Sequence, residues 1–309
     1  MLTATKPYNA YPSSPPGKNP PMADLPPSDI ETQFNPRKAV ANVEQYAQRA
    51  AQLSKATRNR RSGRLDIRYG AGKLATLDVF PAAQANAPLH VFLHGGFWRG
   101  RDKSDYSYVA DALVPLGIST VVMNYDLCPH AELPAIVDQV REGFKWIHAH
   151  AAQLGGNPDS MTASGHSAGA HLIAAALSAY PASTTLSVGM PRAAVLISGV
   201  YELEPVLSIT VNEDIRLRPE QVDEMSPMRH PPTPAVPLTV VVGGAETAGF
   251  VGQSRAFAQT CCDQGSASSY VEMPGHHHFS IMQLLESPDG PLARMIDGIA
   301  RHGNALGAR

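Results

Sequence analysis

The chain of 309 residues carries 25 Lys and Arg against 27 Asp and Glu, a formal net charge of −2, which leaves no electrostatic footprint for nucleic acid or an anionic membrane. Hydrophobic residues at 43% with 17% charged read as globular and not disordered. Three cysteines are too few for a disulfide framework, no apolar run reaches the roughly 18 residues of a membrane span, and the N-terminus lacks the apolar stretch of a secretory signal, so a soluble, cytoplasmic protein is expected.

Residues 1–29 hold eight of the 27 prolines. Such density excludes helix and central strand and leaves polyproline II or no fixed structure. This arm is expected to lie on the surface or to reach a neighbouring subunit of a homo-oligomer; the plain alternative is a functionless tail. A single domain then runs over 30–309. Ala39, Val40, Val43, Tyr46 and Ala47 recur at helical spacing and predict a helix from Pro36 to Ser54. Strands are predicted at Arg64–Tyr69, Leu74–Phe80, Leu89–His94, Ser119–Asn124, Ser160–Ala163, Ala193–Ser198, Leu238–Val242 and Ser269–Met273. Helices are predicted near Asp105–Leu113, Leu133–His150, Ala168–Ala179, Val251–Thr260 and Pro291–Arg301. Apolar strands alternating with helices mean a mostly parallel sheet covered on both faces. The first two strands, joined by Gly70-Ala71-Gly72-Lys73, form an antiparallel edge. The stretch from Tyr201 to Pro237, with seven prolines and little periodicity, is expected to be a lid.

Gly165-His166-Ser167-Ala168-Gly169 is a G-x-S-x-G pentapeptide between a strand and an alanine-rich helix. That context is what a nucleophile elbow requires. Small neighbours allow the sharp turn, and Ser167 then sits at a helix N-terminus where N–H groups can hold an oxyanion. His94-Gly95-Gly96-Phe97-Trp98 closes an earlier strand, and its glycines let the main chain approach a substrate oxygen. The N–H groups of Gly96, Phe97 and Ala168 are the candidate oxyanion hole. Chain order in α/β-hydrolases is nucleophile, acid, base. Glu246, just past the strand Leu238–Val242, is the candidate acid. The base falls in His276-His277-His278 after the last strand; His278, followed by Phe279-Ser280-Ile281, is favoured and His277 is the fallback. In an extended run alternate histidines point to opposite sides, so at most two converge, and no metal is expected. His94 and Asp126 with Tyr125 are read as loop supports, Cys128 as a small buried hydrophobe, and His166 as packing away from the substrate. His171 should support the elbow helix from behind. Trp98, Tyr201 and Leu207 are the candidate pocket residues.

Together, residues 94–98, Asn124-Tyr125-Asp126-Leu127-Cys128-Pro129 and 165–172 resemble the kynurenine formamidase (arylformamidase) group of α/β-hydrolases, related to the hormone-sensitive-lipase-type esterases. The likeness continues through Ser198–Pro205, Gln253-Ser254 and Phe34-Asn35-Pro36-Arg37, and so covers about 30–285. It implies an α/β-hydrolase fold of about eight strands and a triad of Ser167, Glu246 and His278, with no cofactor. It also implies a small-molecule substrate, an N-acyl arylamine such as N-formylkynurenine. The alternative is a carboxylesterase, amidase or carbamate hydrolase acting on aromatic or xenobiotic substrates. A non-catalytic binding protein on the same fold is a third reading, against which stands the presence of all three triad residues.

Overall fold

The computed structural model describes residues 27–178 and 188–302, so the Pro-rich arm lies outside the described residues up to its last three. Three helices open the chain: α1 (Pro27–Phe34), α2 (Pro36–Ala39) and α3 (Glu44–Arg60). The single helix expected over 36–54 is therefore broken. Asn42 sits at φ 54, a left-handed conformation that a helix interior does not tolerate, and α3 restarts beyond it and runs further.

Eight strands follow: β1 (Arg64–Arg68), β2 (Thr76–Phe80), β3 (Ala87–Leu93), β4 (Ser119–Met123), β5 (Gly156–His166), β6 (Ala194–Ile197), β7 (Leu238–Gly243) and β8 (Ser269–Met273). They form one sheet in the order β1-β2-β4-β3-β5-β6-β7-β8. The β1–β2 and β2–β4 pairs are antiparallel, and every later pairing is parallel. Every predicted strand is present, and β5 is longer than expected at both ends.

Period-two alternation decides which side each residue fills. Leu77, Val79, Val91, Leu93, Val121 and Val240 join one core, while Phe80, Phe92, Val122 and Val241 point the opposite way into a second. The first core is covered by α5 (Leu133–Ala149), α6 (Ala168–Ala176) and α9 (Ala248–Asp263). The second is covered by α4 (Val109–Leu113) and α10 (Pro291–His302). In α10, Leu292, Ala293, Ile296, Ile299 and Ala300 are buried at helical spacing. Each buried Leu or Ile contributes about 1.5–3 kcal/mol, so this last helix is held by its apolar stripe.

The 201–237 stretch holds more structure than its sequence suggests. It contains a 3-10 turn at Glu204–Ser208, then α7 (Asn212–Ile215) and α8 (Pro219–Met225). Val206, Ile209, Ile215, Leu217 and Val222 are buried in the first core, so its apolar residues fill the body of the molecule. Among the described residues, no helix is long and apolar enough to cross a membrane.

Candidate active site

β5 delivers Ser167 to the C-terminal edge of the sheet, where ligands bind in open α/β architectures. The serine stands at φ 54, ψ −117, a sparsely populated conformation of the kind that collects at functional sites. Its amide donates to the Ile197 carbonyl at 2.8 Å, which pins the turn to β6. The flanking glycines are required by space. A Cβ on Gly165 would come within 2.5 Å of the Gly169 backbone, and one on Gly169 within 2.2 Å of the Leu93 carbonyl oxygen.

The loop after β3 is held against this turn. A Cβ on Gly95 would stand 3.1 Å from that of Ser167. Gly96, Phe97 and Trp98 all take positive φ, at 120°, 50° and 53°, and this run turns the chain over the serine. Among the described residues the N–H groups of Gly96 and Phe97 donate to no backbone or side-chain acceptor, and that of Ala168 opens α6 without an intrahelical partner. His94 braces the loop from below. Its Nε2 lies 2.8 Å from Asn124 Oδ1, and Tyr125 Oη donates to the His94 carbonyl at 2.6 Å. Burial holds His94 below the usual histidine pKa. Asp126 accepts from the Leu74 amide at 2.6 Å and from Gln139 Nε2 at 3.0 Å. Both residues support loops, as their sequence position suggests. Cys128 is buried, and burial pushes its thiol up to about 11, the opposite of what a nucleophile needs.

His278 and Glu246 meet at the ends of β8 and β7. His278 Nδ1 lies 2.8 Å from Glu246 Oε2, with the carboxylate side chain only 1% exposed. The second oxygen, Oε1, accepts from the Gly243 amide at 2.9 Å and from Ser198 Oγ. A buried carboxylate with its lone pairs occupied in this way orients an imidazole with little freedom to turn. Ser198, at φ 51, is a site residue that the sequence reasoning passed over; its place at the end of a strand was the available signal.

The three histidines separate by their partners. His277 Nδ1 accepts from the Phe279 and Ser280 amides at 3.2 and 3.3 Å, so its proton is on Nε2, which donates to Tyr46 Oη at 3.0 Å. His276 turns to the Ser280 carbonyl. Only His278 lines the same cavity as Ser167.

His166 corrects the expectation that it packs away from the substrate. It lines that cavity, its ring centroid is 4.8 Å from that of His278, and its Nε2 donates to the His278 carbonyl at 2.8 Å. Burial first, and the neighbouring His278 second, depress its pKa well below the ordinary value. It stays neutral. His171 donates through Nε2 to the Met225 carbonyl at 2.8 Å and ties α6 to α8.

The cavity has a volume of about 280 Å³. Gly96, Phe97, Ser167 and His278 line it, and Tyr46, Tyr106, Tyr108 and Phe279 add aromatic lining. The three pocket residues expected from sequence are not among its lining. Trp98 is fully buried with its ring edge-on to His171 at 4.8 Å. Tyr201 is fully buried and stacked on Phe257 at 4.0 Å. Leu207 packs against the first core. Nor does the 201–237 stretch supply a wall; residues of α2 and α3 do. The physical reason is that Tyr201 and its apolar neighbours gain more by burial against α9 than by roofing a solvent-filled site.

A mostly parallel eight-stranded sheet, with a strained serine after its fifth strand and a carboxylate–histidine pair beyond its last two, defines an α/β-hydrolase. Comparisons with known proteins agree. A family model described as BD-FAE matches residues 77–190. The kynurenine formamidase of Drosophila melanogaster is 30% identical over 243 residues, covering 75% of this chain and 80% of the relative. Esterase LipQ of Mycobacterium tuberculosis is 32% identical over 237 residues, covering 69% and 56%. The esterase from the archaeon Pyrobaculum calidifontis shares the fold with a TM-score of 0.67 at 18% identity, covering 89% and 97%. The chain belongs to the kynurenine formamidase family of α/β-hydrolases, and with formamidases and esterases as relatives it is a hydrolase of ester- or amide-type substrates.

Proposed function

We propose that this hydrolase works through a serine acyl-enzyme and removes a small acyl group from an aromatic amine. One juxtaposition carries the reading: Ser167 in its strained turn opens on the same cavity as His278, whose Nδ1 is held at 2.8 Å by buried Glu246. In this scheme His278 Nε2 takes the Ser167 proton as Oγ attacks the acyl carbon, and Glu246 stabilises the imidazolium so formed. The N–H groups of Gly96, Phe97 and Ala168 receive the developing oxyanion, a task in which one lost donor typically costs about 100- to 1,000-fold in rate. The imidazolium then protonates the departing amine. Water, deprotonated by the same His278, releases the acyl group.

The aromatic substrate rests on two supports. Tyr46, Phe97, Tyr106, Tyr108 and Phe279 line a cavity of about 280 Å³, enough for one ring and a small acyl group. The relatives named kynurenine formamidase point to the same class. Relatives named esterases favour an ester as the second reading. Labelling with a serine-directed fluorophosphonate, followed by peptide mass analysis, should place the adduct on Ser167; an adduct elsewhere would overturn the mechanism. The substrate is decided by kcat/KM for N-formylkynurenine, an aryl acetamide and p-nitrophenyl acetate, each divided by its uncatalysed rate because activated esters hydrolyse readily on their own. The formamide should lead. A tenfold lead for the ester would make the chain a carboxylesterase.

A further inference from the structure

The cavity wall carries four arginines, and three of them have carboxylate partners. Arg37 pairs with Glu44, Arg49 with Glu286 at 2.6 Å, and Arg99 with Asp214. Arg101 has no ion pair or hydrogen bond among the described residues. Its position is set by the backbone. It stands at φ 74, a conformation uncommon for an arginine, at the end of the loop that begins with Gly96. Its stem lies over that glycine: a Cβ built on Gly96 would meet Arg101 Cγ at 3.0 Å. A glycine is required there because a side chain would displace the arginine, or the Gly100 carbonyl oxygen at 2.3 Å.

The consequence is geometric. Gly96 is a candidate oxyanion donor, so the arginine stem is anchored beside the place where a scissile carbonyl would lie. The guanidinium lies three atoms beyond Cγ on a residue that lines the cavity. Asp105 is the other charged lining group without an ion-pair partner. It lies outside ion-pair distance of Arg101, and its burial disfavours its charged form. The Arg101 charge favours the ionised carboxylate in turn, but with no direct contact between the two the guanidinium keeps its donors for a ligand that brings its own anion. An unpaired, half-buried guanidinium offers a fork of donors matched to a carboxylate.

We infer that Arg101 is a specificity-determining residue that binds a carboxylate on the leaving amine, so that the substrates are acylated aromatic amines bearing an acid group close to the ring. The inference rests on the hydrolase reading above, and the test separates the two. Compare kcat/KM for N-formylanthranilate and for formanilide, which differ by the carboxylate alone. The acid should be preferred by about 10- to 100-fold, the usual worth of a hydrogen-bonded charge pair. Arg101→Gln should erase that ratio, and Arg101→Lys should restore only part of it, because a point charge cannot bind both oxygens in a fork. A wild-type ratio near one, or an unchanged ratio in Arg101→Gln, overturns the inference and leaves the serine hydrolase standing. Binding gives a readout independent of turnover. Fluorescence titration with anthranilate should show affinity at least tenfold weaker for Arg101→Gln than for wild type. Equal affinity overturns the role of Arg101 even if neither formamide is cleaved, and that lack of cleavage counts against the hydrolase reading alone.

Discussion

At the scale of single residues, the histidines around the cavity have jobs that can be told apart by their hydrogen bonds. His278 lines the same cavity as Ser167 and is hydrogen-bonded to Glu246, whereas His277 spends its Nε2–H on Tyr46 and its Nδ1 on two amides. Ser167→Ala and His278→Ala should each lower kcat by several orders of magnitude, since members of one catalytic unit fail together. His277→Ala should be far milder; if it were as damaging as His278→Ala, the base would be misassigned. In the proposed mechanism His166 acts on His278 through the main chain of the latter. By donating to the His278 carbonyl it fixes where that ring sits, and small displacements of a catalytic group can cost about 100-fold. His166→Ala should reduce kcat by about 10- to 100-fold with little change in KM. His166→Gln, which retains an N–H donor, should recover part of the loss. A loss of thermal stability with kcat intact would reduce His166 to a packing residue.

At the scale of elements, α2 and α3 line the cavity and α1 anchors them to the body of the molecule. α1 docks on the start of α9: Thr247 Oγ1 donates to the Gln33 carbonyl at 2.6 Å, the Gly249 amide donates to Gln33 Oε1 at 2.9 Å, and Phe34 packs on Phe250. That anchorage carries Pro36, Arg37 and Tyr46 to the mouth of the site. Tyr46→Ala should therefore change selectivity, raising KM for aryl substrates several-fold relative to p-nitrophenyl acetate through loss of an aromatic wall. Tyr201→Ala makes the contrast. Its ring is buried against Phe257, so the substitution should cost about 3–5 kcal/mol of stability and leave the ratio of the two substrates unchanged. Melting temperatures measured beside the kinetic ratios distinguish these outcomes. A shifted ratio in Tyr201→Ala would return 201–237 to the role of lid.

For the whole molecule, buried neutral histidines give folding a defined pH dependence. Burial lowers His90 to about 3 and His171 to about 4, and His94 and His166 are depressed in the same direction. His90 sits inside the sheet, with Nδ1 2.8 Å from Thr162 Oγ1 and Nε2 2.7 Å from Ser164 Oγ, so it bridges β3 and β5 without a charge. In the unfolded chain these rings bind protons near pH 6.5. Below that value the unfolded state takes up protons that the folded state refuses, so stability is complete above about pH 6.5 and falls as the pH drops towards each folded value. Each ring adds up to about 1.4 kcal/mol per pH unit within its window. Melting temperature should hold between pH 7.5 and about pH 6.5 and decline steadily from there to pH 5, with a shallower decline in His171→Gln. A melting temperature that is flat or rises towards pH 5 would contradict this account.

What the amino-acid sequence determines by itself is what depends on near neighbours along the chain. The short apolar, β-branched runs mark all eight strands, because a strand buried on both faces reads as a nearly continuous apolar run, although they do not give the full length of β5. The pentapeptide around Ser167 specifies a strand–turn–helix with room for a strained serine, since Gly165 and Gly169 remove the Cβ atoms that would collide with adjacent backbone. The break at Asn42 and the helical content of 201–237 were not legible, because a positive φ and burial on a distant helix leave little local trace. Tertiary structure alone decided the cavity's walls. His277 is drawn off by Tyr46, 231 residues earlier in the chain, and His166 turns inward to a carbonyl 112 residues later. The Tyr201 ring finds Phe257 and leaves the roof to α2 and α3. Each of these outcomes is a competition between partners far apart in sequence, settled by packing that no spacing of residues encodes.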